Sequence, residues 1–183
     1  MRVALCVWMG LFSVAMLLGC NTTRHAEDPA MAVVDSVTAR TVEIINANGD
    51  KIGKALLTQE KTGVRLHVQV NGLSPGKHGF HIHEKAFEGT DFQSAGGHFN
   101  PTGAQHGLKN PQGAHVGDMR NLVVKPDGSA KQTEFLVKAS LSKSNEYSLL
   151  GKSIIIHAGE DDQVTDPSGN SGDRIAGGII GDK

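Results

Sequence analysis

His81-Ile82-His83 has immediate chemical meaning. On a β-strand, residues two apart point to the same face, so both imidazoles project together while Phe80 and Ile82 turn to the other side. Two neutral ring nitrogens on one rigid face are half of a metal site, although taken alone they also describe a pair of partly exposed side chains. Further along, Ser94-Ala95-Gly96-Gly97-His98-Phe99-Asn100-Pro101 is followed by His106, His115 and Asp118. Three histidines and one carboxylate can complete the four-coordinate tetrahedral site that zinc prefers. The Gly and Asn residues between them let a loop wrap around an ion, the alternative being a flexible histidine-rich loop without metal. Histidine is the unusual entry in the composition: 9 in 183 residues, against 2 cysteines.

These side chains need a frame, and the sequence around them has period two. Alternating segments at 41–45, 52–57, 64–70, 78–83, 115–124, 129–137, 153–157 and 175–180 are separated by turn signals such as Asn48-Gly49-Asp50, Ser74-Pro75-Gly76 and Pro126-Asp127-Gly128. No window has a convincing helical period. About eight short strands of this kind predict an all-β antiparallel sandwich or barrel. Two stretches without apolar periodicity, 84–114 and 158–173, are too long for ordinary connections in a compact β domain, and such loops are usually functional or disordered. The candidate ligands lie in and beside them.

Several motifs, taken in order, resemble the copper,zinc superoxide dismutases. They are His78-Gly79-Phe80-His81-Ile82-His83-Glu84, then Ser94 to Pro101 as quoted above, His115-Val116-Gly117-Asp118, and Gly172-Asp173-Arg174-Ile175-Ala176. The resemblance runs over about residues 36–182 at family-like spacing. It implies an eight-stranded Greek-key barrel with two functional loops, copper and zinc as cofactors, and dismutation of superoxide to oxygen and hydrogen peroxide. It further implies copper ligands at His81, His83, His98 and His157, with His98 bridging to zinc. His106, His115 and Asp118 match the remaining zinc ligands, and Asp161 matches the aspartate that links a copper histidine to a zinc histidine. Arg174 matches the arginine beside the open copper position, where its fixed charge steers and orients the anion. His98 is implied to part from reduced copper and carry a proton. The donor types agree with this division: four imidazoles suit copper(II), and three histidines with an aspartate suit zinc.

The sequence departs from the family at one point. Gly177 stands where the family has the last-strand cysteine of a disulfide, and the loop partner falls on Phe87 or Phe92. A disulfide typically contributes about 2–4 kcal/mol. Phe87 is expected to pack over the space that Gly177 leaves. Of the other histidines, His78 is assigned to backbone hydrogen bonding, His67 to solvent and His25 to the polar segment at 20–35 that precedes the domain.

Both cysteines, Cys6 and Cys20, lie in the first twenty residues. Met1-Arg2 followed by an apolar run that ends Leu17-Leu18-Gly19-Cys20 describes a secretory signal, and those last four residues resemble the bacterial lipobox. This divides the chain into a signal peptide at 1–19, a lipidated tether at 20–35 and a domain at 36–183. Lipid on Cys20 would hold the domain on a bacterial membrane, at the periplasmic face or the cell surface. A formal net charge of -1 argues against nucleic acid as a partner. With 20% charged and 38% hydrophobic residues the chain is globular. The family includes monomers and homodimers, and no apolar strip in the sequence selects between them. The competing reading is an extracytoplasmic copper- or zinc-buffering protein on the same fold. Such a protein should show a broken ligand set or a missing arginine, and this chain shows neither.

Overall fold

The computed structural model describes residues 38–181; the signal, Cys20 and the tether lie outside the described residues. Among the described residues nine strands form, all pairing antiparallel: β1 (Ala39–Asn46), β2 (Lys51–Glu60), β3 (Gly63–Val70), β4 (Gly76–His78), β5 (Phe80–His83), β6 (Leu122–Val124), β7 (Ala130–Val137), β8 (Ser153–His157) and β9 (Arg174–Ile179). Alternation dictates which face each strand buries. In β3, Val64, Leu66, Val68 and Val70 are fully buried, whereas Arg65 and Gln69 are exposed. Leu66 registers against Leu57 of β2, and Val68 against Ala55, so adjacent strands stack their apolar residues on one face. β8 is buried at every position and supplies Ile154 and Ile156 to the main core with Val42, Ile44, Phe80 and Ile82.

Seven strands run in the order β5-β8-β9-β1-β2-β3-β7, and β4 pairs with β6 beside them. The sheet curls because β4 continues into β5 across Gly79 alone. Its seam, between β6 and β7, is bridged by side chains. Gln132, in phase with the inward Ala130 and Leu136, accepts from the Val123 amide at 3.3 Å and donates to the Asn121 carbonyl at 3.1 Å. Buried Glu134 pairs with Arg120 at the same seam. The result is the antiparallel all-β barrel read from the pattern, with no helix among the described residues beyond one 3₁₀ turn, Phe92–Ala95.

Two expected strands differ in extent. The segment at 78–83 is divided at Gly79, whose N–H donates to Gly159 and whose carbonyl accepts from His157, so β4 and β5 pair with different neighbours. The strand expected at 115–124 is only β6. Ahead of it the chain folds inward, because the Asp118 carboxylate accepts the amides of His115 and Gly107 at 3.0 and 2.8 Å. A carboxylate that captures nearby amides competes with a regular ladder. The loop between β5 and β6 therefore reaches residue 121, and the second long loop joins β8 to β9.

Candidate metal centre

β5 and β8 are neighbours, with His81 registered against Ile155 and His83 against Ser153. This brings His81, His83 and His157 together at one end of the barrel, and the first loop folds His98 onto them through a bridge between His83 and His98. All four are buried. His81, His83, His98 and His157 form one compact group able to hold a metal ion; His81, His98, His106 and Asp118 form a second, and His81 and His98 belong to both.

The hydrogen bonds settle which ring nitrogen each histidine offers. A carbonyl oxygen can only accept, so a nitrogen facing one carries the proton and the other nitrogen has the free lone pair. His83 Nδ1 donates to Gly96 O at 3.0 Å, and His157 Nδ1 donates to Gly172 O at 3.0 Å. Their Nε2 atoms are thus both unprotonated, yet face each other at 3.3 Å. His81 turns Nε2 to Asp161 Oδ2 at 2.7 Å, leaving a buried Nδ1 without a partner. Nε2 of His98 is likewise buried and unpartnered. Four lone-pair nitrogens converge with nothing among the described residues to donate to them, and that arrangement fits a cation that prefers imidazole.

On the other side, three nitrogens crowd one oxygen. Asp118 Oδ1 lies 3.0 Å from His98 Nδ1, 3.1 Å from His106 Nδ1 and 3.3 Å from His115 Nδ1. One carboxylate oxygen has two lone pairs and cannot take three N–H groups well. Four ligand atoms bound at about 2.0 Å around a tetrahedral ion would stand roughly 3.3 Å apart. The residues present therefore fit zinc. Asp161 spans the two sites, with Oδ2 on His81 and Oδ1 on His106 Nε2 at 3.0 Å.

Burial sets the protonation of this group. It pushes His81 down to about 3 and His157 down to about 4, and it depresses His83 further. His98 is lowered for the same reason. For His106 burial also opposes charge, but the hydrogen bonds to Asp118 and Asp161 outweigh it and hold the ring up at about 9. Burial would raise both aspartates; the histidines that face them outweigh it, so each stays well below the usual carboxylate range. The site thus has neutral imidazoles on one side and a carboxylate-rich pocket on the other.

Arg174, the first residue of β9, stands beside this centre. Nη1 donates to Phe92 O and Gln93 O at 2.8 and 3.2 Å, and Nη2 donates to Gly96 O at 2.7 Å. Three of the five guanidinium N–H groups are occupied by one turn of backbone, which leaves two for an anion. The turn itself is capped by Asp91, whose side chain accepts the Gln93 amide. Beneath it, Phe87 and Phe92 are buried and meet edge to face at 4.9 Å, with Ala95 and Ile155 completing the cluster. Phe87 Cε1 lies 3.1 Å from where a Cβ on Gly177 would stand. The space opposite Gly177 is therefore filled by Phe87, while Phe92 contributes the carbonyl that holds Arg174.

Of the other histidines, His78 is buried with Nδ1 on His157 O at 2.7 Å and Nε2 on Ser74 O at 2.8 Å. His67 lies on the outer face of β3, against Thr133 Oγ1. Three contributors had no marker in the sequence: Asn121, which bonds the Asp161 main chain; Asp166, which accepts the His106 amide; and Gln163, which donates to Asp161.

Fold and site define a class: an antiparallel β-barrel metalloprotein with two adjoining histidine-rich sites that share ligands. Residues 51–180 match the family described as copper/zinc superoxide dismutase (SODC), and the chain belongs to that family. It is 42% identical to Superoxide dismutase [Cu-Zn] 2 of Aquifex aeolicus over 143 residues, covering 75% of this chain and 84% of the relative. It is 36% identical to Superoxide dismutase-like protein YojM of Bacillus subtilis over 173 residues, 88% of each. A solved structure of a SOD-like protein from Bacillus subtilis overlays with a TM-score of 0.74 at 38% identity, covering 79% of this chain and 99% of that one.

Proposed function

We propose that this protein dismutates superoxide, converting two superoxide anions and two protons into one oxygen and one hydrogen peroxide. The observation that carries the reading is the set of four imidazole lone pairs converging beside a guanidinium with two free donors. His81, His83, His98 and His157 would hold copper, and His98, His106, His115 and Asp118 would hold zinc. What bound copper supplies is reversible one-electron exchange with superoxide.

The rest of the work falls to the chain. Arg174 attracts and orients the anion with a charge that does not titrate at working pH. His98 offers Nε2 to one site and Nδ1 to the other, so a proton held at Nε2 leaves the zinc-side contact intact. Asp161 fixes the tautomers of His81 and His106 together, which couples the two sites. The barrel strands keep the imidazoles within fixed reach.

The test is metal analysis combined with a superoxide assay on protein loaded with copper and zinc. One copper and one zinc per chain with rapid turnover is the expected result. Both metals bound with no turnover would instead favour copper or zinc buffering. That reading draws support from the Bacillus subtilis relative, which is named dismutase-like rather than dismutase. We also propose, on sequence alone, that Cys20 is lipidated and that the domain acts outside the cytoplasm. Mass spectrometry of the processed N-terminus tests this, and an unmodified Cys20 would overturn it.

A further inference from the structure

The Asp161 carboxylate is held from four directions. Oδ2 takes His81 Nε2 at 2.7 Å and the side-chain amide of Gln163 at 2.6 Å. Oδ1 takes His106 Nε2 at 3.0 Å and the backbone N–H of Gln163 at 2.6 Å. A carboxylate offers about four acceptor positions, so Gln163 fills half of them and leaves one on each oxygen for an imidazole.

Gln163 also reaches both segments that bring the zinc-side ligands. Its amide donates to Met119 O at 3.2 Å, immediately after Asp118. Its own carbonyl accepts the Lys109 N–H at 3.0 Å, shortly after His106. At Gly107 a Cβ would collide with that same carbonyl, so the two loops meet there backbone to backbone. Gln163 is buried, and it adopts φ 66°, in the left-handed region that non-glycine residues rarely enter. A conformation of this kind persists where its surroundings over-determine it, and such residues cluster at functional sites.

We infer that Gln163 is a positioning residue of the two-metal centre: its two N–H donors lock the Asp161 carboxylate so that it takes one proton-bearing nitrogen from His81 and one from His106. The orientation of Asp161 then decides that both rings present Nδ1 to the metals. This rests on the reading of His81 and His106 as metal ligands. The contribution of the side chain can be separated from that of the main chain, because Asn121 independently holds the Asp161 backbone at both N–H and carbonyl, at 2.8 and 2.7 Å.

Two variants of the full chain test the role, with readouts other than turnover. Gln163→Met keeps length and volume but removes the donor. Gln163→Asn accepts the positive φ more readily, but its amide stops one methylene short. Both should bind zinc on the order of tenfold more weakly in chelator competition, the usual consequence of removing a partner that orients a metal ligand. Both should also show a shifted copper(II) absorption and electron paramagnetic resonance spectrum. Zinc affinity within twofold of the parent, with an unchanged copper spectrum, in either variant that folds would mean that Gln163 only fills space, and the inference falls. A parent protein that binds both metals without turnover would remove the dismutase reading but leave this result standing.

Discussion

His83 and Arg174 donate to the same oxygen, the carbonyl of Gly96, at 3.0 and 2.7 Å. That carbonyl ends the 3₁₀ turn whose other carbonyls hold Nη1 of Arg174. It fixes a lone pair on His83 Nε2 and the position of the Arg174 guanidinium with a single group, so the two are coupled through it. The tautomer of His83 and the placement of the Arg174 guanidinium are set by the same piece of backbone. Burial lowers Arg174, against the pull of Asp91, but a guanidinium stays charged throughout the working range.

Replacing Arg174 by Gln should therefore lower the dismutation rate on the order of tenfold and flatten its dependence on ionic strength. Copper should remain bound, since Arg174 contributes no atom to either group of converging ligands. Rate against salt concentration and copper content are the two measurements. A variant as fast as the parent at low ionic strength would remove Arg174 from the mechanism.

The parts of this centre that were legible in the sequence are those with a period or a fixed donor type. His81 and His83 lie two apart on a strand, so their shared face follows from the pleat. His98, His106, His115 and Asp118 announce themselves by side-chain chemistry, although only the fold brings His157 across from β8. What stayed hidden acts through backbone or through a bland amide. The Gly96 carbonyl has no signature, and Gln163 stands in an aperiodic loop at a positive φ that its residue type does not forecast. The misread strand at 115–124 has a similar origin: the alternation is real, but the Asp118 carboxylate takes amides that a ladder would have used.

Removing both metals should loosen the first loop selectively. Without ions, three histidine nitrogens crowd Asp118 Oδ1, and that carboxylate also holds the amides of Gly107 and His115. Amides of Gly107 and His115 should exchange on the order of tenfold faster in chelated protein, while those of β3 and β7 keep their protection, because local opening need not involve the core. Hydrogen exchange with mass spectrometry distinguishes the two regions. Equal protection of the loop with and without metal would show that it needs no ion.

The second loop carries an acid-sensitive tie. Asp162 is held down to about 2, first by the Thr165 side chain and then by the amides of Thr165 and Val164. A carboxyl whose folded pKa is depressed adds stability above its unfolded value of about 3.9 and loses it as pH falls toward 2. Asp162→Asn should therefore flatten the acid limb of metal-free stability between those values and lower stability slightly at neutral pH. Thermal unfolding across pH 2 to 7 is the measurement, and parallel curves for parent and variant would rule the tie out.

The clasp beneath Arg174 contains no sulfur, and its energetics should show that. Both cysteines of the chain precede the described residues, so a reductant should leave the melting temperature unchanged. Phe87→Ala should destabilise the protein by about 3–5 kcal/mol, the usual range for emptying a buried aromatic site. Gly177→Ala should also destabilise, by about 1–3 kcal/mol through overpacking. Its new Cβ would meet Ile154 O and Ile155 Cδ1 at 2.9 Å and Phe87 Cε1 at 3.1 Å. If Phe87 is what fills this space, the two substitutions cannot be independent: with the ring gone, the added methyl has one hard neighbour fewer. Gly177→Ala should then cost less in the Phe87→Ala background, with the backbone oxygen of Ile154 keeping a residual penalty. Denaturant unfolding of the four proteins measures that coupling, and strictly additive costs would mean that the ring and the glycine do not share the space.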